Sequence, residues 1–285
     1  MTHPLGELVL LVPDEDPAEP EQLAELATAL RHKGIAYRTV PLGRDALAGA
    51  TREVERGGRL LVHCGGQASL VRWLPLAVNT DVVVGLFPGG ASNDLARTFG
   101  LTMPGEAYAI LLEGPRVIRS DVGVARVGGR ETYVFNHAVV GLTAAAVGPR
   151  SRVGRLAAWY RAMALHRPTR YDVDMTFAEY HAAATQVRLA NGQYALDGLY
   201  VAPAALPDDG AWDVQVWAGA RTLPFALQPK MLRGEHLPHQ DVTQWRQKRV
   251  TVEATPPAPV AVDDVVVGTT PATFELLPKA LRIKI

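Results

Sequence analysis

Residues 60–69 read Leu60-Leu61-Val62-His63-Cys64-Gly65-Gly66-Gln67-Ala68-Ser69. The continuous apolar run predicts a strand near the centre of a sheet, because a strand covered on both faces needs no polar alternation. Glycines at the end of such a strand let backbone amides approach a phosphate, and the start of the following helix favours an anion. The stretch therefore predicts a strand, a phosphate-binding turn and a helix. A plain tight turn is the alternative.

The same order recurs at residues 82–100, where an apolar run leads into the loop Phe87 to Ser92 and a helix that ends at Gly100. Alternating strands and helices predict a parallel, doubly wound sheet, whose loops after successive strands line one crevice. Ser92, Asn93 or Asp94 acting only as a helix cap is the alternative. The other predicted elements are strands at 8–12, 35–40 and 60–62 and helices at 23–30, 46–54 and 70–78.

Near Val117 the pattern changes to alternating residues and hairpin turns, which predicts an antiparallel domain. Its predicted features include a helix around 153–165 and a two-residue hairpin turn at Asn191-Gly192. We therefore expect a first domain over 1–117 and a second domain over 118–271.

The composition excludes several classes of protein. Lysine plus arginine and aspartate plus glutamate number 29 each in 285 residues, so no net charge favours nucleic acid as a partner. A single cysteine, Cys64, excludes intramolecular disulfides and cysteine-rich zinc sites. The first residues lack a secretion signal, and no segment is long and apolar enough to span a bilayer, so we expect a cytoplasmic protein.

A third loop carries three carboxylates, Asp208, Asp209 and Asp213. Oxygen ligands of this kind suit Mg²⁺, partly through water. A solvated Asp-Asp-Gly turn before a strand is the alternative and, from these residues alone, the preferred interpretation.

These motifs, in this order, resemble the bacterial diacylglycerol kinase family and its sphingosine kinase relatives over nearly the whole chain. The family's Gly-Gly-Asp-Gly-Thr corresponds to Gly65-Gly66-Gln67-Ala68-Ser69. Its Pro-Leu-Gly-Thr-Gly-Asn-Asp-Phe-Ala-Arg is similar to 88–97, and its Asn-Gly-x-Tyr, Ala-Pro and Asp-Asp-Gly-x-Leu-Asp-Val follow at 191–194, 202–203 and 208–214. Its closing Asp-Gly-Glu and proline-lysine-alanine segments resemble 263–265 and 278–280.

The resemblance implies a phosphofructokinase- and NAD-kinase-like α/β domain followed by an antiparallel β-sandwich, with the terminal segment 272–285 returning to the first domain. It also implies transfer of the γ-phosphoryl group of ATP to the hydroxyl of a diacylglycerol-like lipid, with Mg²⁺ and the Asp208, Asp209 and Asp213 carboxylates. Asp263 falls on the family's catalytic base, for which an ordinary turn residue is the alternative. The residues expected to bind the nucleotide are Gly65, Gly66, Gln67, Ser69, Gly89, Gly90, Ala91, Ser92, Asn93 and Asp94.

Several positions depart from the family pattern. The first strand leads into the acidic loop Pro13 to Pro17, Gln67 replaces an acid, Ala68 replaces a glycine, and Asp264-Val265 replaces Gly-Glu. Each lost charge-assisted hydrogen bond is worth about 1.5 to 3 kcal/mol. A non-catalytic homologue that binds lipid or nucleotide is therefore the second hypothesis, and an NAD-kinase-like enzyme is the third.

A basic and aromatic segment suggests transient contact with the inner face of the membrane. Solvated arginines over a packed apolar face are the alternative and the preferred interpretation. The sequence leaves a homodimer open. The residues of this segment are Arg152, Arg155, Trp159, Tyr160, Arg161, His166, Arg167 and Arg170.

Overall fold

The computed structural model describes residues 5–89, 93–147, 152–166 and 169–285. The chain forms two compact units. The first comprises Met1–Ser120, Leu196–Gly198 and Lys279–Ile285, and the second comprises Asp121–Ala195 and Leu199–Pro278. The short piece 196–198 thus belongs to the first unit although its neighbours on both sides belong to the second.

The first unit alternates strands with helices. In chain order these are β1 (Glu7–Pro13), α1 (Pro20–His32), β2 (Tyr37–Leu42), α2 (Ala46–Glu55), β3 (Gly58–Cys64), α3 (Gln67–Leu70), a 3₁₀ turn (Leu74–Leu76), β4 (Val83–Phe87), α4 (Asp94–Thr98) and α5 (Gly105–Glu113).

The strands of this unit form a parallel sheet in the order β2-β1-β3-β4. β3 and β4 are almost continuously apolar and buried, as central parallel strands require. Because β1 lies between β2 and β3, the chain reverses its winding direction there. The carboxyl ends of β1, β3 and β4 therefore meet at one edge, where ligands bind in sheets of this type.

The predicted helix over 70–78 is wrong. The structure has only the four residues of α3 and the 3₁₀ turn Leu74–Leu76 in this region. Pro75 lies inside the stretch and lacks the backbone N–H that a continuous α-helix needs at that position. The apolar residues at helical spacing are nevertheless buried, among them Leu70, Trp73 and Leu74.

The second unit is mainly antiparallel. Its elements, together with those that enter and leave it, are β5 (Val117–Val127), β6 (Arg130–Val134), β7 (His137–Gly141), α6 (Leu142–Ala145), α7 (Arg152–Leu165), β8 (Thr169–Met175), β9 (Ala178–Ala184), β10 (Gln186–Ala190), β11 (Tyr194–Ala195), β12 (Leu199–Tyr200), β13 (Trp212–Trp217), α8 (Leu223–Ala226), α9 (Gln228–Met231), β14 (Val242–Gln247), β15 (Arg249–Thr255), β16 (Pro259–Val262), β17 (Val265–Thr269) and β18 (Ala272–Lys284).

Two layers of this unit enclose one apolar core. One layer is a six-stranded sheet in the order β14-β13-β10-β7-β16-β17, and the other runs β18-β15-β8-β9. Val187 and Val214 from the first layer pack in the same cluster as Val173, Val252 and Phe274 from the second. This is a β-sandwich, so the predicted fold class, an α/β domain with an antiparallel β-sandwich domain, is confirmed. The last residues of β18 leave the sandwich, and Arg282 and Ile283 pair with β4 in parallel.

The predicted two-residue hairpin at Asn191-Gly192 is wrong. β10 pairs with β7 and β13, and β11 pairs with β12, so the turn does not join two paired strands. The backbone amides of Asn191 and Gly192 both donate to the carbonyl oxygen of Asn136, at 2.8 and 3.0 Å. These long-range bonds fix the turn in place of a local hairpin.

Among the residues that the structure describes, no helix is long and apolar enough to cross a membrane.

Candidate functional site

Three loops meet at the carboxyl edge of the sheet in the first unit. They are 14–19 after β1, 65–66 after β3 and the described residues Pro88, Gly89 and Asn93 after β4. The amide of Ala18 donates to the carbonyl of Cys64 at 2.9 Å, and the amide of Gly66 donates to the carbonyl of Asp16 at 3.0 Å. The first loop is thus hydrogen-bonded to the glycine turn.

The glycines of both turns lie in close contact with the first loop. A Cβ atom on Gly65 would lie 2.4 Å from Cγ of Pro13, and one on Gly66 would lie 2.0 Å from a carboxylate oxygen of Asp16. A Cβ atom on Gly89 would lie 2.2 Å from Cβ of Ala18. The glycine-rich turns therefore allow the acidic first loop to pack against both of them.

A buried polar network fixes the turn after β3, and the sequence did not reveal it. Trp73 Nε1 donates to His63 Nδ1 at 3.2 Å, so the proton of the neutral ring lies on Nε2. His63 Nε2 lies 3.0 Å from both the carbonyl of Gly66 and the hydroxyl of Ser69. Ser69 also donates to the Gly66 carbonyl at 2.8 Å. Burial lowers the pKa of His63 to about 4, which keeps the ring neutral at physiological pH.

The nucleotide-binding predictions Gly65, Gly66, Gln67 and Ser69 lie together at this turn. Gln67 and Ser69 are buried. The hydroxyl of Ser69 and the amide of Gly66 are both bonded within the protein. A role of these four residues in holding phosphate stays a prediction.

The loop after β4 is described in part. Gly90, Ala91 and Ser92 lie outside the described residues. Asp94 is 1% exposed, and its two carboxylate oxygens accept hydrogen bonds from the amides of Asp197 (3.2 Å) and Gly198 (2.6 Å). Asp94 therefore binds the piece 196–198 to the first unit. The contact joins residues about one hundred positions apart, which local patterns cannot predict.

Asn93 differs from Asp94 because its side-chain oxygen accepts no hydrogen bond from the described residues. Oδ1 of Asn93 is buried and has no hydrogen-bond partner within the described ranges. It lines a narrow cavity of about 20 Å³, roughly the space of one water molecule, between the turns after β3 and β4. Gly65, Gln67 and Pro88 line the same cavity. The turns after β3 and β4 therefore border one small cavity, and a ligand-binding crevice between them stays a prediction.

The three predicted metal ligands do not form a cluster. Asp209 accepts hydrogen bonds from the amide of Ala211 at 3.1 Å and from the guanidinium of Arg246. Burial raises the pKa of Asp213 to about 6, and Oδ2 of Asp213 is buried without a hydrogen-bond partner in the described part of the chain. Within that same part, no three His, Cys, Asp or Glu side chains are arranged to hold a metal ion. Binding of Mg²⁺ by Asp208, Asp209 and Asp213 stays a prediction.

Asp121 positions this acidic turn, and the sequence analysis missed it. Its side chain is fully buried, and Oδ2 accepts from the amide of Gly210 at 2.7 Å. Its own amide donates to the carbonyl of Pro207 at 2.6 Å. A carboxylate directly before the apolar stretch 122–125 of β5 was the available signal.

Asp263 is completely buried in the second unit. Its Oδ2 accepts from the amide of Phe135 at 2.7 Å, and its Oδ1 accepts from the amides of Asn136 (3.0 Å) and His137 (2.9 Å). Burial raises the pKa of Asp263 to about 7, while the three amide bonds act in the opposite direction. The residue therefore holds the connection between β6 and β7. A role as catalytic base stays a prediction.

The predicted membrane-contact segment coincides with α7 and the start of β8. Tyr160 and Arg161 are exposed, whereas Trp159 packs edge-on against Phe225 at a ring separation of 4.9 Å. The side chains of Arg152 and Arg155, and all of Arg167, lie outside the described residues.

Comparison with known proteins gives a consistent result. Residues 138–285 match the family model of the YegS C-terminal NAD kinase beta sandwich-like domain. Two relatives named diacylglycerol kinase, from the CDC 1551 and H37Rv strains of Mycobacterium tuberculosis, are each 27% identical over 271 residues. These cover 89% of this chain and 86% of the relative.

Solved structures from Bacillus anthracis str. Sterne are similar in fold. A diacylglycerol kinase structure superimposes with a TM-score of 0.71 at 18% identity, over 98% of this chain and 97% of the other. Another structure from that organism reaches a TM-score of 0.78 at 18% identity, over 99% and 98%.

Proposed function

Because this chain belongs to the YegS-like and diacylglycerol kinase family of lipid kinases, we propose that it transfers the γ-phosphoryl group of ATP to a hydroxyl of a diacylglycerol-like lipid, with Mg²⁺. The observation that carries the proposal is the meeting of the turns after β3 and β4 at the carboxyl edge of the sheet, where both border one water-sized cavity. The unpartnered Oδ1 of Asn93 at this cavity is an acceptor, so we assign it to an N–H or O–H group of the nucleotide rather than to a phosphate oxygen. Phosphoryl transfer depends on positioning and charge neutralisation more than on covalent catalysis, and such turns provide the positioning.

Each group has a proposed part in this reaction. Asn93 holds the nucleotide, and the His63, Ser69 and Gly66 network fixes the shape of the neighbouring turn. Mg²⁺, when bound, neutralises charge on the phosphates. The unpartnered Oδ2 of Asp213 is an oxygen of the type that this ion prefers, with Asp208 contributing through water.

Asp263 has two proposed roles. It positions the backbone of 135–137 through three hydrogen bonds, and a pKa near 7 suits a group that accepts a proton from a lipid hydroxyl. Asp263→Asn removes the base and replaces one acceptor oxygen by a donor, so stability and turnover must be measured together for this variant.

Asn93→Ala provides the cleaner test. The Asn93 oxygen makes no hydrogen bond within the described protein, and its side chain does not cap α4, so we expect a folded variant whose melting temperature stays close to that of wild type. We expect transfer of labelled phosphate from ATP to mixed diacylglycerols to fall about tenfold to a hundredfold. Gln22→Ala, an exposed amide on α1, is the matched control. Equal rates in all three proteins would refute the assignment of Asn93.

Specific observations favour a second candidate, a non-catalytic homologue that binds lipid or nucleotide. The Gly66 amide donates to Asp16, the Ser69 hydroxyl donates to Gly66, and Asp263 is inaccessible to solvent. The same assay separates the candidates when NAD is included as an alternative acceptor. Labelled lipid supports the kinase, labelled NAD supports the NAD-kinase-like hypothesis, and no labelled product from a folded protein supports the non-catalytic homologue.

A further inference from the structure

The outer face of the six-stranded sheet carries a buried arginine whose hydrogen-bonding capacity is unused. Arg188 lies on β10, and its side chain points away from the sandwich core because its neighbours Val187 and Leu189 point into it. Arg188 is 1% exposed, and its Nε and Nη1 have no hydrogen-bond partner within the residues described. A guanidinium has five N–H donors and no acceptor, so the missing partner is an oxygen atom.

Two neighbouring glutamines already use their side-chain oxygens, and the nearby carboxylates of Asp264 and Asp213 form no hydrogen bond to Nε or Nη1 of Arg188 within the described residues. Gln215 stands directly opposite on β13, where its Oε1 accepts from Trp217 Nε1 at 3.1 Å and its Nε2 donates to the carbonyl of Val201 at 2.9 Å. Gln186 is two residues away on the same face, and its Oε1 accepts from the amide and the hydroxyl of Thr143.

Two further polar atoms on this face also lack a hydrogen-bond partner among the described residues. Nε2 of Gln186 is a buried donor without a partner, and Nδ1 of His236 is a buried ring nitrogen without one, again among the described residues. His236 Nε2 lies 3.2 Å from the carbonyl of Val201, so Nε2 carries the proton and Nδ1 accepts. Gln186 and Arg188 alternate along one strand, which places their backbones roughly 7 Å apart. His236 and Gln215 contact the same carbonyl, so all three groups surround one stretch of the face.

The buried charge of Arg188 is not hydrogen-bonded at Nε or Nη1 within the described residues. Burial lowers the pKa of Arg188 only to about 10, so the guanidinium stays protonated at neutral pH. Asp264 attracts it electrostatically without bonding to Nε or Nη1. A buried charge without hydrogen-bond partners lowers the stability of the folded protein, and an anion with well-placed oxygens would offset this loss.

Arg188 also lies between two apolar clusters on the outer face of the six-stranded sheet. On one side of β10, Val139 packs with Ala144 and Ala261, and on the other side Trp217 packs with Leu227 and Met231. The two apolar clusters are separate.

We propose that Gln186, Arg188 and His236 form a binding site for a phosphate group that carries a hydroxyl, either free phosphate or a lipid phosphomonoester. Arg188 and Gln186 donate to the anionic oxygens, and His236 Nδ1 accepts from the P–OH. A carboxylate offers no such hydroxyl, so phosphate is the better match to two donors and one acceptor. The site lies within the second unit and does not depend on the kinase activity proposed above.

The test is a melting-temperature titration of the full chain at constant ionic strength, with inorganic phosphate in one arm and dihexanoyl phosphatidic acid in the other. The wild-type protein should be stabilised in at least one arm. Stabilisation by inorganic phosphate assigns the site to free phosphate, and stabilisation by the lipid alone assigns it to a headgroup. No shift in either arm overturns the proposal.

Arg188→Met tests the assignment to this residue. The variant should melt at or above the wild-type temperature without ligand, because it removes an uncompensated buried charge, and it should lose the phosphate-dependent shift. Arg170→Met, which removes an exposed arginine of the same unit, should keep the shift. A full shift in Arg188→Met would contradict the proposal.

If Arg188→Met does not fold, Arg188→Lys replaces it. Lysine keeps the charge but not the planar pair of donors, so phosphate affinity should fall at least tenfold. Undiminished affinity in that variant would count equally against the site.

Discussion

The carboxyl edge of the first unit and the outer sheet face of the second unit differ in how their buried polar side chains are bonded. At the edge, His63, Ser69 and Asp94 are bonded to the protein's own backbone or to one another, and Oδ1 of Asn93 is left without a partner among the described residues. On the outer face, Arg188 and His236 are just as buried, and each keeps an unpartnered atom. Motif residues that bond within the protein thus indicate the family, whereas these unpartnered atoms are where we propose that ligands bind.

The carboxylates that bind backbone amides should have the largest effects on stability. Asp263→Ala leaves three buried amides without an acceptor, and we expect it to lower the free energy of unfolding by about 3 to 5 kcal/mol. Asp94→Ala leaves two backbone amides without this acceptor, and we expect the free energy of unfolding to fall by about 2 to 4 kcal/mol. Urea unfolding measures both.

Asp174→Ala and Asp81→Ala are the controls for these two variants, because both carboxylates are exposed. Their free energies of unfolding should change by less than about 0.5 kcal/mol. If Asp263→Ala were as stable as Asp174→Ala, Asp263 would not hold the connection between β6 and β7.

His63 should make the stability of the first unit depend on pH. Its pKa is lowered from 6.5 to about 4, so the unfolded chain takes up a proton that the folded chain excludes as the pH falls through this window. The contribution of neutral His63 to the free energy of unfolding is therefore complete above pH 6.5. About 3 kcal/mol should be lost as the pH approaches 4.

The measurement is the free energy of unfolding at pH 7 and at pH 4.5, compared between wild type and His63→Gln. Glutamine keeps an acceptor for Trp73 but does not titrate. The variant should lose less stability than wild type over this interval. Equal losses would mean that His63 is not buried as a neutral ring.

The two glycine turns should differ in their tolerance of a methyl group. Gly89→Ala meets Cβ and Cα of Ala18 at 2.2 and 2.3 Å, so backbone must move, at an expected cost of about 1 to 3 kcal/mol. Gly66→Ala meets the end of the Asp16 side chain, which can rotate away, and should cost less. Thermal unfolding of both variants checks the order, and the reverse order would contradict the packing of the first loop.

The sequence predicted the alternating strands and helices of the first unit because buried parallel strands and amphipathic helices leave local periodic patterns. It failed at 70–78, where Pro75 overrides helical spacing, and at Asn191-Gly192, where bonds to Asn136 replace a hairpin. It also missed Arg188. The alternation of Gln186, Val187, Arg188, Leu189 and Ala190 is typical of a half-exposed strand, yet the covering segments bury all five.

The central claim is that the turns after β3 and β4 bind ATP with Mg²⁺, and the direct test is the melting temperature of the wild-type protein with and without Mg²⁺-ATP. At one hundred times its dissociation constant the nucleotide should add about 2.7 kcal/mol to stability and raise the melting temperature, and Asn93→Ala should require a higher concentration for the same rise. No rise with millimolar Mg²⁺-ATP in a folded wild-type protein would contradict nucleotide binding and, with it, the proposed kinase activity.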